Sequence, residues 1–214
     1  MTPAQFSAGR VRWQCATGFV STRVHSWLPT EAMPFLRIVL LAIGATIGYG
    51  IVHDQITARL CVEYFTIAHP QFFHTESPTL LAFGWGVLAT WWVGLMLGVP
   101  LACIARLGRA PKLTARQFVR PILVQLAVMA ICALAAGVLG WQLTARGVIR
   151  LDQFVRLPIP PEKQAAFLAD GFAHNASYAI GFLGGLALLA WAAVKRFRAT
   201  PTANAPQPPQ SVHA

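Results

Sequence analysis

The sequence predicts an all-α bundle of four transmembrane helices with both termini on the cytoplasmic side. Three observations predict it. Only 11% of the 214 residues are charged and 56% are hydrophobic, with a mean hydropathy of +0.54; a soluble domain carries about 25% charged residues. Four apolar segments approach the roughly 20 residues that a helix needs to cross hydrocarbon. The basic residues also fall on alternate connections between those segments, as the positive-inside rule requires.

Residues 1–32 hold Arg10, Arg12 and Arg23 with no sustained helical period. A cleavable signal would place its apolar core nearer the start, so the first long run, from Phe35, reads as an uncleaved anchor. Met33 lies just before it, which marks residues 1–32 as a cytoplasmic extension or a misplaced start. The membrane domain covers residues 33–198, with spans at about 35–52, 78–105, 121–143 and 176–194. Backbone in lipid must be satisfied internally, so each span is a helix. Pro100 marks an expected kink in the second. Residues 199–214 are proline-rich and uncharged, the composition of a disordered cytoplasmic tail.

Arg37, the group Arg106, Arg109, Lys112, Arg116 and Arg120, and the run Lys195, Arg196 and Arg198 share the inner side with the N-terminal arginines. Glu31 is the one acid among them. The other acids, Asp54, Glu63, Glu76, Asp152, Glu162 and Asp170, fall on the two outer connections. The net charge of +10 is therefore topological. Its natural partner is an anionic lipid bilayer, not nucleic acid. Gly44 and Gly48, Gly94 and Gly98, Gly181 and Gly185, and Ala136 and Gly140 are spaced to let helices approach closely, within this chain or in a homo-oligomer.

The chemistry gathers in Gly50 to Ser77, GIVHDQITARLCVEYFTIAHPQFFHTES, with three of the seven acids and three of the six histidines. Asp54 to Thr66 has the pattern of an outer interfacial helix, apolar at Ile56, Leu60 and Ile67 and polar at Gln55, Arg59 and Glu63. Arg59 and Glu63, four apart, are spaced to pair. His69-Pro70 ends that helix. Two stretches also repeat. Gly50 to Arg59, GIVHDQITAR, aligns with Gly137 to Arg146, GVLGWQLTAR, and Phe72 to Ser77, FFHTES, aligns with Phe172 to Ser177, FAHNAS. That makes the halves parallel hairpin repeats. It also makes His74 and His174 equivalent, at the outer mouth of the bundle, with Ser77 and Ser177 as helix caps.

Two readings of this outer region stand. In the first it is a binding surface, built from His53, Asp54, Gln55, Arg59, Glu63, His69, Glu76 and Asp170, for a partner protein, a lipid or a small solute. In the second, His74 and His174, with help from His53, His69 or Glu76, ligate a transition metal (zinc, copper, iron or nickel) or clamp a haem, since imidazole with carboxylate suits those ions. No spacing of the H-E-x-x-H kind fixes the geometry. Catalysis has no signature. Cys61 is the only cysteine on the outer side, Ser77 and Ser177 lack a nucleophile-elbow context, and no phosphate loop is present. The spans carry no carboxylate of the kind that drives a proton-coupled transporter.

Tyr49 to Arg59 followed by Glu63-Tyr-Phe-Thr66 resembles a Y-G-x-x-H-D-Q-x-T and E-Y-F-T motif of small bacterial multi-pass membrane proteins of unknown function. The resemblance covers about twenty residues. It implies a bacterial cytoplasmic membrane location and makes the outer segment the functional surface, without implying an activity.

Overall fold

The computed structural model describes residues 28–198 apart from Val155. The N-terminal extension up to residue 27 and the tail from residue 199 lie outside the described residues. Every regular element among these is helical: α1 (Leu28–Leu60), α2 (Val62–Thr66), α3 (Pro78–Leu88), α4 (Trp91–Arg106), α5 (Ala115–Ala145) and α6 (Gln164–Arg198), with short 3-10 turns at Leu151–Gln153 and Pro161–Lys163. Four stretches are long and apolar enough to cross a membrane: Ala32–Leu60, Pro78–Arg106, Ala115–Ala145 and Pro161–Arg198. The chain is a multi-pass membrane protein with the expected all-helical fold.

The helices outrun the apolar segments that announced them. α1 passes through Met33 without a break and continues past Val52 to Leu60, because no proline or glycine stops it there. α5 begins at Ala115, where Thr114 and Gln117 form a reciprocal capping box, with the Thr114 amide donating to Gln117 Oε1 at 2.8 Å. α6 begins at Gln164, twelve positions before the expected 176, straight after the Pro161–Lys163 turn. An apolar run marks what must sit in hydrocarbon. Capping and helix breakers set where the helix ends.

The second span is interrupted at Ala89–Thr90, not at Pro100, which lies inside α4. At this break Thr90 turns its hydroxyl back onto the Gly86 carbonyl, and α1 crosses at Gly50. A Cβ on Gly50 would lie 2.7 Å from the Gly86 carbonyl oxygen, and one on Gly86 would lie 2.6 Å from the Ile51 nitrogen. Neither backbone could approach so closely with a side chain between. The four small-residue pairs divide accordingly. Gly94 and Gly98 press on Ile43 and Val39 of α1, Gly181 and Gly185 meet Met129 and Leu97, and Gly140 holds Phe172, but Gly44 and Gly48 face open space.

α1 packs on α3 and α4, and α5 packs on α6; α4 against α6 and α1 against α5 join these two hairpins. At one end the seam is closed by Arg196, only 2% exposed. Its guanidinium donates to the carbonyls of Ile104, Ala110 (3.1 Å) and Pro111 (3.1 Å). The last carbonyls of α4 are thereby all satisfied: Cys103 by the Leu107 amide, Ile104 by Arg196, Ala105 by the Leu113 amide and Arg106 by Lys112. Arg196 is thus more than a topological charge.

The first pair of aligned segments shares one local hydrogen bond of a kind common to helical threonines, while Asp54 is buried where the aligned Trp141 is exposed. Thr57 and Thr144 occupy aligned positions, and each bonds the carbonyl four residues back, on His53 and Gly140. The second pair diverges. His74 sits in the loop before α3, whereas His174 lies deep within α6. Ser77 does stand at the N-cap position of α3, although its side chain makes no cap bond. Ser177 caps nothing.

Packing of the glycines predicts a contrast between two substitutions. Gly94→Val puts a Cβ 2.5 Å from the Ile43 Cα and should cost roughly 1–3 kcal/mol. Gly44→Ala, in open space, should stay within about 0.5 kcal/mol of the parent. Thermal unfolding in detergent measures both, and equal losses would contradict the α1–α4 contact.

Candidate functional site

The last turns of α1 present Asp54, Thr57, Ala58 and then Cys61 to the interior, all buried, while Val52 and Ile56 stay exposed on the lipid side. A helical period of 3.6 produces this division. On α6 the same period aligns Asp170, His174 and Ser177, all buried, on one face. The two polar faces meet. His174 Nε2 lies 3.3 Å from Asp54 Oδ1, and Tyr49 Oη lies 2.8 Å from Ser177 Oγ. His53 stacks on Tyr49 at 5.6 Å and meets the His174 ring edge-on at 4.6 Å. Its Nε2 is buried and has no hydrogen-bond partner. Both carboxyl oxygens of fully buried Asp170 are likewise without one.

The His174 tautomer follows from its neighbours. Its Nδ1 lies 2.8 Å from the Asp170 carbonyl, which can only accept, so Nδ1 carries the hydrogen. In the neutral ring Nε2 is then a bare acceptor facing another acceptor, the Asp54 carboxylate. A cation or a proton must lie between them for the contact to be favourable.

A lid of aromatic rings covers this cluster. α1 ends where Cys61 adopts an extended conformation (φ −148°), and the chain turns into α2. This places Tyr64 flat against His174 at 4.7 Å and Phe65 parallel to His69 at 5.6 Å. His69 donates from Nδ1 to the Tyr64 carbonyl at 2.8 Å and rests 4.7 Å from the Trp85 ring. Below the cluster is a cavity of about 760 Å³, walled mainly by aliphatic, methionine and aromatic side chains of α1, α4, α5 and α6, with Thr46 and Gln125 among them. His53, Asp54, His69, His174 and Ser177 line its polar end.

The outer residues expected to form one surface are therefore divided. Asp54 and Asp170 are buried inside the bundle, and His53 and His69 line the cavity. Gln55, Arg59 and Glu76 stay outside, with Gln55 and Arg59 bonded to Thr79 at the start of α3. The single interfacial helix over 54–66 is replaced by the end of α1 and the separate α2. The break at Cys61 takes Arg59 and Glu63 off a common face, so they do not pair as expected. Arg59 bonds Gln55, and Glu63 instead approaches Lys163 at 3.6 Å. The expected His74–His174 pair is also corrected. His74 is exposed in a loop at φ +38°, while the group of ligand atoms around His174 comes from His53 and Asp54, all within 4.8 Å of one another.

Several contributors went unread in the sequence: Tyr49, Thr57, Tyr64, Trp85 and the inward Ser177. The spacing of Asp170, His174 and Ser177 at i, i+4 and i+7 was the signal that would have found the α6 face.

Fold and site together define a multi-pass membrane protein with a largely apolar cleft between its helices, open on one side past Met96, Tyr178 and Phe182 and bounded at one end by imidazoles and a carboxylate. Comparison with protein-family models, with curated proteins and with solved structures finds no match to this chain in any of the three.

At Cys61 and His69, both outside the spans, burial dominates the titration behaviour. It pushes the Cys61 thiol up to about 12, with the Glu63 and Asp170 carboxyls acting in the same direction and a backbone hydrogen bond at Tyr64 opposing. Burial also holds His69 below the ordinary imidazole value of 6.5, aided by His174 and opposed by the Tyr64 carbonyl and Asp54. The sign follows from linkage. Above about pH 6.5 the ring is neutral whether the chain is folded or not. Below it the unfolded chain takes up a proton that the folded chain resists, so stability falls with pH. His69→Gln should lose less melting temperature than the parent between pH 7.5 and 5.5; an equal or larger loss would contradict the burial of a neutral ring.

Proposed function

We propose that the protein binds a lipophilic small molecule inside the bundle, with its apolar body among the spans and a compact polar head at His53, Asp54, His69 and His174. The observation that carries this reading is the cavity of about 760 Å³, within the 300–1,000 Å³ range of small-molecule sites. Its walls are mostly apolar, with Thr46, Thr90 and Gln125 set along them, and its ionisable groups gather at one end, the division that an amphiphile with one polar terminus would match. The binding function expected of the outer loop thus moves to the interior beneath it.

The bilayer supplies both the surroundings and the route for such a ligand. The concentration of basic residues at the α4–α5 loop and the α6 end supports cytoplasmic termini, with the polar end of the cavity toward the outer side. The likeness to small bacterial membrane proteins supports the bacterial cytoplasmic membrane as its location.

Native mass spectrometry and lipid extraction of the protein, purified from its own membranes, test the reading. A molecule other than bulk phospholipid should be retained near stoichiometrically. Val93→Trp and Leu126→Trp, which fill the cavity, should each lower retention at least about tenfold, the effect of a 1.4 kcal/mol clash. Retention unchanged by both, or no retained molecule, would contradict it.

A further inference from the structure

We infer that His53, Asp54 and His174 bind one divalent first-row transition-metal ion at the polar end of the cavity. The inference stands on geometry that does not depend on what occupies the apolar part.

Four observations converge. The first is the ligand set, two imidazoles and one carboxylate brought together from α1 and α6, with donor atoms within 4.8 Å of one another. The second is the confrontation of acceptors. His174 Nε2, bare because Nδ1 donates to the Asp170 carbonyl, faces Asp54 Oδ1 at 3.3 Å. Bonds of 2.0–2.1 Å to a tetrahedral ion set neighbouring ligand atoms about 3.4 Å apart. That contact already has the length of an edge of the coordination polyhedron. The third is the orphaned His53 Nε2, buried with no partner, beside the His174 ring. One ring nitrogen of His53 already lies within 4.8 Å of the ligand atoms of Asp54 and His174. The fourth is the support behind His174, since a metal-bound histidine characteristically donates its other N–H to a carbonyl or carboxylate, which fixes the ring.

The donor chemistry narrows the ion. Imidazole nitrogen and carboxylate oxygen suit Zn²⁺, Fe²⁺ and their first-row neighbours, whereas magnesium and calcium prefer oxygen alone. No thiolate joins the set: Cys61 Sγ donates to Glu63 instead, at 3.4 Å. Three protein ligands also leave at least one position open, the pattern of sites at which a fourth ligand exchanges. Here that position can be taken by water or by the polar head of a molecule in the cavity.

The test uses full-length protein in mild detergent, stripped with chelator and titrated with Co²⁺ alone. Wild-type protein should take up about one equivalent with visible d–d absorption. Asp54→Asn, His53→Gln and His174→Gln should each weaken apparent affinity by about 100-fold or more, beyond the effect of removing an outer-shell partner. His74→Ala should bind as wild type. X-ray absorption of the Co²⁺ form needs no variant and should give nitrogen and oxygen ligands with imidazole scattering. Failure of folded wild-type protein to bind would overturn the proposal and leave a proton between Asp54 and His174. So would uptake undiminished in all three site variants, loss of uptake in His74→Ala, or sulfur in the first shell. The titration reads Co²⁺ uptake alone and the extraction reads a retained lipophile alone, so a negative result in either leaves the other reading intact.

Discussion

A carboxylate and an imidazole held 3.3 Å apart inside a membrane bundle set the terms for the rest of the structure. Burying a charge in an apolar surround is costly unless it is paired, so Asp54 requires His174 or an ion at this depth. That requirement determines which faces of α1 and α6 look inward. Once Asp54 faces α6, Val52 and Ile56 must face lipid, and Tyr49, four residues earlier than His53, is carried to Ser177. The aromatic lid follows as well. Tyr64 and Phe65 cover the pair only because the helix breaks at Cys61 and sends the chain back over it.

The opposite end is closed by a different device. Arg196 spreads its guanidinium across carbonyls left over at the end of α4 and in the following loop, and so fixes α6 to α4. Between the two polar ends the contacts are mostly apolar, apart from Gln125 donating to the Ile180 carbonyl at 2.8 Å, with glycines allowing close approach where α1 crosses α3 and α4. The cavity lies in the stretch between these fixed ends. The α3–α4 break at Thr90 borders it. A bundle tied at both ends and loosely filled in the middle suits a site that admits an apolar molecule while keeping its polar groups in place.

The sequence revealed the spans clearly, because hydropathy and charge distribution report directly on what hydrocarbon tolerates. It misplaced the chemistry. His53, Asp54 and Asp170 follow or precede apolar runs, so they were assigned to an outer surface, although the helix continues through them and turns them inward. Hydropathy measures how polar a segment is, not which side of a helix its polar residues occupy. Aligning FFHTES with FAHNAS singled out His174, but it matched it with His74, which has no helix to orient it. The true neighbours, His53 and Asp54, come from a segment 120 positions away, and only packing could reveal that contact. The Arg59–Glu63 pair failed for a local reason: four-residue spacing means adjacency only while the helix is unbroken.

α1 and α6 face each other through Asp54 and His174, and a double-mutant cycle tests this directly. Stabilities of the parent, Asp54→Asn, His174→Gln and the double variant would be measured under one set of detergent conditions. Direct contact predicts an interaction energy of about 0.5–3 kcal/mol between the two substitutions. Effects that add to within about 0.3–0.5 kcal/mol would place the two side chains apart and contradict the site.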